Sequence, residues 1–165
     1  FAYTGGATLA AAAAGAQVTH VDASKGMVTW AKENAVASGL GDAPIRWLVD
    51  DCVKFVEREI RRGNTYDAII MDPPSYGRGP KGEIWKIEDM IHPLIKLCTK
   101  ILSKDALFFL VNSYTTGLAP AVLTYMISTE LKPWNGHVDS QEIGLPVTDS
   151  GLVLPCGASG RWERD

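Results

Sequence analysis

Apolar runs too short to be helices alternate along this chain with segments of helical spacing, and that alternation leaves few architectures open. Strand-length runs fall at 17–22, 45–50, 67–71 and 106–112, and helix-period segments at 8–15, 25–38, 53–62, 84–102 and 119–131. Strands joined by crossover helices run parallel, and strands buried on both faces read as near-continuous apolar runs. The expectation is an α/β fold with helices on both faces of a parallel sheet. In the second helix Met27, Trp30, Ala31, Asn34 and Ala35 share a face, the stripe of an amphipathic helix. Pro93 falls inside the fourth helix and is expected to split or kink it, because proline lacks the N–H that a helix interior needs. After Leu131 the pattern changes. Pro133-Trp134-Asn135-Gly136 is turn material, and 137–143 and 152–156 read as two strands joined over 144–151, an antiparallel tail on a parallel sheet.

At 165 residues and 46% hydrophobic, the chain has enough apolar surface for one domain with a real core. A net charge of −3 gives no chain-wide electrostatic footprint for nucleic acid, which leaves phosphate contact to local basic loops. Cys52, Cys98 and Cys156 are odd in number and widely spaced. They fit neither a disulfide framework nor a zinc site, and indicate a reducing, cytoplasmic setting. His20, His92 and His137 are equally scattered, so no metal is expected. No apolar run has membrane-spanning length, so no membrane partner is expected either.

Chemistry concentrates where strands end. Asp72-Pro73-Pro74-Ser75 follows the run ending at Met71 and precedes the glycine-rich, basic stretch Tyr76-Gly77-Arg78-Gly79-Pro80-Lys81-Gly82. Ligands of open α/β sheets bind at the carboxyl ends of the strands. Prolines fix φ and lack N–H groups, which implies a stiff rim of free carbonyls beside a carboxylate, suited to a substrate that donates N–H groups. The plainer reading is an acidic turn that ends a strand. Gly5-Gly6 opens the first helix, where backbone can approach a ligand closely; no third glycine completes a dinucleotide fingerprint, and a tight turn is the alternative. Asp22 ends the next strand at the offset where an acid accepts from ribose hydroxyls; a helix cap by Asp22 or Ser24 is the alternative. Asp51 begins a helix after another strand, either as a cap or as an acceptor for an adenine amino group. Three consecutive strands ending in acids after a glycine turn form a set more specific than its members.

The ordered set Tyr3-Thr4-Gly5-Gly6, Asp22, Asp51 and Asp72-Pro73-Pro74 resembles the class I S-adenosylmethionine-dependent methyltransferases. More narrowly, Tyr3-Thr4-Gly5-Gly6, Val21-Asp22-Ala23-Ser24 and Met71-Asp72-Pro73-Pro74 resemble the bacterial branch around the large-subunit ribosomal RNA methyltransferases. The resemblance covers nearly the whole chain. It implies a Rossmann-like sheet in order 3-2-1-4-5-7-6 with strand 7 antiparallel, and a first strand upstream of Phe1, so that 1–165 is a methyltransferase domain missing its opening. It implies S-adenosylmethionine as cofactor and ribosomal RNA as partner. Tyr3, Thr4, Gly5 and Gly6 would line the methionine part, Asp22 would hold the ribose, and Ala23 and Ser24 would flank the adenosine. Asp51 and Cys52 would frame adenine, and Asp72, Pro73 and Pro74 would lie at the reacting centre.

Departures from the pattern carry information. Methylation of cytosine C5 needs an attacking thiolate, which in the related branch follows the fifth strand. Here that stretch is Leu110-Val111-Asn112-Ser113-Tyr114, and none of the three cysteines is well placed. Amino-group methyltransferases put a base-stacking aromatic directly after the prolines; here Ser75 stands there, with Tyr76 one step later. Arg78 and Lys81 are candidates to bind phosphate from a mobile loop, and Asn112 to orient the acceptor. Trp85 is expected in the core with Ile84, Ile87 and Ile91, and Trp30, Trp47, Trp134 and Trp162 in packing. A nicotinamide-dependent oxidoreductase and a non-catalytic RNA-binding relic are the rival readings.

Overall fold

The computed structural model describes residues 1–78, 82–115 and 117–165. In chain order its elements are α1 (Gly6–Ala13), β1 (Val18–Asp22), α2 (Lys25–Ala37), β2 (Ile45–Val49), α3 (Cys52–Arg62), β3 (Ala68–Met71), β4 (Tyr76–Arg78), β5 (Ile84–Lys86), α4 (Ile87–Thr99), β6 (Phe108–Ser113), α5 (Pro120–Glu130), β7 (His137–Pro146) and β8 (Val153–Glu163). They fall into two units, Phe1–Glu59 and Ile60–Asp165.

In the first unit β1 and β2 pair in parallel, from Val18 against Ile45 to Asp22 against Val49. The crossover between them is α2, which packs on both strands through buried Val28, Ala31 and Ala35. The expected face is therefore turned. Val28 belongs to it and Trp30, 50% exposed, does not pack as expected. Small residues at 31 and 35 bring the helix backbone close to the strands, and an indole on that line would hold it away. On α1, Thr8 Oγ1 shares a 2.9 Å hydrogen bond with His20 Nδ1. His20 leans on Trp47 with ring centroids 4.9 Å apart. Burial holds its imidazole below the usual range, so it packs as a neutral ring.

In the second unit the strand order is β3-β6-β8-β7. β3 and β6 are parallel, and β8 is antiparallel to both of its neighbours, which makes the sheet mixed. The continuous order 3-2-1-4-5-7-6 is not among the described pairings. Phe109, Val111 and Ser113 of β6 are buried on one face, together with Ala158 and Trp162 of β8. α5 packs on β7 and β8, and α4 packs on α5. The buried stripe of α4 is Ile87, Ile91, Leu94, Ile95 and Cys98, at the three- and four-residue steps of one helix face.

Three expectations are corrected here. The fourth helix begins at Ile87 rather than 84, because 84–86 pairs antiparallel with β4, Gly77 opposite Trp85. Ile84 is exposed and Trp85 half-buried, while Ile87 and Ile91 do reach the core. Pro93 lies inside α4 without splitting it; the burial of apolar residues on both sides of it outweighs one lost hydrogen bond. The last strand runs on past 156 to Glu163. Gly157-Ala158-Ser159-Gly160 has low strand propensity, but pairing with β6 on one side and β7 on the other overrides it. Trp134 and Trp162 pack as expected, Trp134 Nε1 donating to the Ser103 carbonyl at 2.9 Å.

Phe109→Ala, at a position with no solvent exposure, is expected to lower the stability of the chain by about 3–5 kcal/mol. Tyr125→Ala, at an exposed ring, is expected to change it by about 0.5 kcal/mol or less. Urea denaturation of the two variants beside the wild type checks both.

Candidate functional site

The residues singled out in the first unit gather around one carboxylate. Asp22 closes β1, and its Oδ2 accepts from the backbone nitrogens of Phe1, Ala2 and Tyr3, each at 3.1 Å. Its Oδ1 accepts from the Ser24 N–H at 2.8 Å. Burial opposes ionisation of Asp22 and the hydrogen bonds it accepts from the Ser24 and Tyr3 backbone favour it; the carboxyl lies below the ordinary aspartate range. The same carboxylate thus draws the turn at Tyr3, Thr4, Gly5 and Gly6 onto Ala23 and Ser24. Gly5 must be glycine. Its φ is +88°, and a Cβ there would meet Ala31 Cβ at 3.0 Å and Leu9 Cδ1 at 3.1 Å. The Thr4 carbonyl accepts from Asn34 Nδ2 at 3.0 Å, and Tyr3 is exposed.

The alternative roles foreseen for the polar residues are divided among them. Ser24 caps α2, its Oγ accepting from Met27 N–H at 3.3 Å, which leaves Asp22 to the turn. Asp51 caps α3, its Oδ1 accepting from Lys54 N–H at 2.9 Å. Asp50 accepts from Asp51 N–H and pairs with Arg58. Asp50 N–H also donates to the Asp22 carbonyl at 2.9 Å, so the carboxyl ends of β1 and β2 are joined. Cys52 lies beside them, its Sγ 3.9 Å from the Val21 carbonyl. Burial, with Asp22 and Asp51 nearby, pushes its thiol up to about 12.

In the second unit Met71 pairs with Val111, which puts Asp72 beside Asn112 at the carboxyl ends of β3 and β6. Asp72 is half-buried, and burial raises its carboxyl above the ordinary range. Among the described residues no donor reaches that carboxylate. The stiff turn that follows is anchored on its own acceptors, which corrects the expected rim of free carbonyls. Pro73 is buried. The Pro74 carbonyl accepts from Trp85 Nε1 at 2.6 Å, and the Ser75 carbonyl accepts from Ile87 N–H at 3.1 Å. Ser75 Oγ and Thr115 Oγ1 share a hydrogen bond of 2.7 Å.

Tyr76 and Arg78 are on β4 rather than in an open loop, with Arg78 Nε donating to the Tyr76 hydroxyl at 3.0 Å. Lys81 lies outside the described residues. Among the described residues no group of side chains could hold a metal ion, and no helix is long and apolar enough to cross a membrane. Sequence reasoning gave no binding role to Tyr114, Thr115 or Cys156, although it put the strand end at Asn112-Ser113-Tyr114 on this rim and weighed Cys156 as a nucleophile. The Thr115 hydroxyl meets Ser75 at 2.7 Å and Gly157, next to Cys156, packs against Tyr114, so all three lie at this rim. An aromatic directly after a strand that ends beside Asp72 was the available signal for Tyr114. Nothing in the sequence signalled Cys156, because its place depends on how far β8 runs.

No family model matches the chain. Its fold superposes on the S-adenosylmethionine-dependent methyltransferase from Agrobacterium tumefaciens with a TM-score of 0.92 and 44% identity, over 100% of this chain and 54% of that one. The protein SMU.776, solved in complex with SAH, matches with a TM-score of 0.80 and 23% identity over 98% of this chain and 43% of that one, which speaks to fold alone. The ribosomal RNA large subunit methyltransferase K/L of Shewanella frigidimarina is 35% identical over 103 residues, 59% of this chain and 14% of that protein. The ribosomal RNA large subunit methyltransferase K of Neisseria meningitidis serogroup B is 30% identical over 115 residues, 68% of this chain and 32% of that protein. The chain thus spans a third or less of these two curated relatives. In sequence and in its α/β fold, the chain resembles the S-adenosylmethionine-dependent methyltransferases, and in sequence it resembles their large-subunit ribosomal RNA branch.

Proposed function

We propose that this chain binds S-adenosylmethionine and transfers its methyl group to a base of ribosomal RNA, at an amino or ring nitrogen. The observation that carries the reading is Asp72, a half-buried carboxylate without a donor among the described residues. It stands at the carboxyl end of a parallel strand, on a turn anchored at Pro74 and Ser75. Such a group accepts an N–H from the incoming nitrogen, orients its lone pair and takes up the proton that the nitrogen loses. The 44% identity to the Agrobacterium enzyme supports the cofactor, and the names of the curated relatives support RNA as acceptor and the cytoplasm as setting.

The residues of the first unit fit an adenosine carrier. Tyr3, Thr4, Gly5 and Gly6 take its methionine part, and Ala23 and Ser24 flank the adenosine. Asp51 and Cys52 frame adenine. Asp22 takes a ribose hydroxyl on Oδ1, which accepts a single N–H where a carboxylate oxygen has room for two donors. Bound S-adenosylmethionine supplies a methyl group already activated on a sulfonium, which leaves alignment to the protein. Asp72, Pro73 and Pro74 belong to the reacting centre, and Ser75, Tyr76, Arg78, Lys81 and Asn112 to the acceptor. The order 3-2-1-4-5-7-6 and a methyltransferase domain over 1–165 belong to the same reading, supported by the parallel pairs β1-β2 and β3-β6 and by antiparallel β8.

A thiolate route to cytosine C5 finds no support. The Cys52 thiol is pushed up to about 12, Cys98 is buried in α4, and the Cys156 thiol donates to the Leu154 carbonyl in its own strand at 3.3 Å. A nicotinamide reading is not favoured, since the glycine turn lacks the third glycine of that fingerprint.

Titration calorimetry is expected to show binding of S-adenosylhomocysteine and none of NAD, with Asp22→Ala weakening the former about tenfold, the scale of one hydrogen bond to a charged group. Mass spectrometry of ribosomal RNA from cells with and without the gene is expected to show one missing methyl group; identical RNA would sink the acceptor assignment. Asp72→Asn is expected to abolish most transfer while leaving cofactor affinity unchanged. The same variant is expected to be at least as stable as the wild type at neutral pH. Because burial raises the folded-state pKa of Asp72 above 3.8, its ionised form disfavours folding, and stability falls as pH rises through that window. Urea denaturation at pH 4 and pH 7 checks the sign. Cys156→Ser is expected to retain methyl transfer, read by label incorporation into the same RNA.

A further inference from the structure

The acceptor-side rim contains an exposed aromatic ring that the proposed function leaves unused. Tyr114 follows the last residue of β6, two positions beyond Asn112, which lies opposite Asp72 by the Met71–Val111 register. Its ring is 57% exposed, and among the described residues its hydroxyl has no hydrogen-bond partner. An exposed ring at a strand end would ordinarily be free to wander, but here the backbone is held on both sides. On one side the Ser75–Thr115 hydroxyl bond of 2.7 Å ties the next residue to the Asp72 turn. On the other side β8 comes so close that a Cβ at Gly157 would stand 2.9 Å from Tyr114 Cα and would run into the Ser113 carbonyl. Gly157 itself has a φ of +131°, open to glycine alone. The ring is therefore carried by a fixed backbone, at the same strand-end rim as Asp72.

Asp72 and Cys156 both contribute, after burial, to raising the Tyr114 hydroxyl above its usual range, which agrees with that closeness. The other candidate ring is differently engaged. Tyr76 is on β4 with its hydroxyl held by Arg78 Nε at 3.0 Å, turned to a cation rather than to Asp72. The surrounding wall also limits what Tyr114 can take. From Val138 to Gly160 the tail contains no lysine or arginine, while Asp139, Glu142 and Asp149 are acidic. With no cation in this stretch, charge pairing to phosphate is left to other parts of the surface, and what Tyr114 itself offers is the flat face of a ring.

Resting on the methyltransferase reading above, we propose that Tyr114 is the platform on which the acceptor ring lies while Asp72 takes its N–H. The pair thereby selects a planar, N–H-bearing heterocycle extruded from single-stranded or looped RNA over an aliphatic amine or amide. It also explains why Ser75 can stand where related amino-group methyltransferases place an aromatic. The stacking face comes from the strand beside the Asp72 turn instead of from the turn itself.

The test is steady-state methyl transfer from labelled S-adenosylmethionine to ribosomal RNA purified from cells lacking the gene, with calorimetric affinity for S-adenosylhomocysteine as the control for folding. Tyr114→Leu is expected to raise KM for the RNA roughly five- to hundredfold, the range of one lost base stack, with cofactor affinity unchanged. Tyr114→Phe keeps the ring and is expected to restore KM to near the wild-type value, and Tyr125→Leu, which removes an exposed ring on α5, to leave it near that value. Tyr114→Leu with unaltered KM overturns the proposal. So does a Tyr114→Phe variant as impaired as Tyr114→Leu, which would make the hydroxyl the working group, or an equal loss in Tyr125→Leu, which would make the effect non-specific. A wild-type protein that binds S-adenosylhomocysteine yet labels no RNA overturns instead the acceptor reading on which the proposal rests.

Discussion

The geometry of the acceptor-side rim depends on β6 being hydrogen-bonded on both edges, parallel to β3 and antiparallel to β8. From Phe108 to Val111 the strand is flanked by a partner on each edge, and it buries one face, that of Phe109, Val111 and Ser113. Parallel pairing with β3 brings two carboxyl ends to one rim, and with them Asp72 and Asn112. Antiparallel pairing with β8 brings the amino half of β8 to the same rim, which is how Gly157 and Cys156 come beside Tyr114. Were β8 parallel, those residues would stand at the opposite end of the sheet. One reversal of strand direction therefore decides which side chains the rim contains.

The two aspartates of greatest interest have opposite environments, and the difference follows from their neighbours. Asp22 accepts hydrogen bonds on both oxygens from backbone nitrogens, so its charge is stabilised and its pKa lowered despite burial. Asp72 is half-buried and has no such donors among the described residues, and burial raises it. A carboxylate saturated by backbone is committed to shape, and what it offers a ligand is limited to the lone pair that remains. A carboxylate without donors is a cost to the folded state that an incoming N–H removes. Environments that push like groups apart in pKa commonly separate structural and chemical roles.

Much of this was legible in the sequence because it is encoded locally. Strand-length apolar runs located β1, β2, β3 and β6 to within two residues, and Asp22, Asp51 and Ser24 were recognisable as end-of-strand acids and caps. What was not legible depends on partners distant in the chain. Residues 84–86 have helical periodicity but are held as β5 by β4. Residues 157–163 look like a glycine-broken turn but become the strand between β6 and β7. Trp30 has helical spacing with its neighbours, yet the close approach of α2 to β1 and β2 selects Val28, Ala31 and Ala35. Tyr114 was given no binding role for the same reason, since its meaning comes from Asp72, 42 positions earlier.

The two prolines after Asp72 act differently from what their chemistry alone implies. Without N–H groups they free carbonyls, but the Pro74 carbonyl is taken by the Trp85 indole and the next one by the first turn of α4. The turn is thus fixed by φ-locked residues and by two external donors, and its stiffness does not draw on the Asp72 side chain. That separation matters for a group that must meet a substrate. A carboxylate used to hold its own loop, as Asp22 is, cannot accept a proton without loosening the loop. Asp72 can change protonation state while the backbone beneath it stays still, because nothing in that backbone depends on its charge.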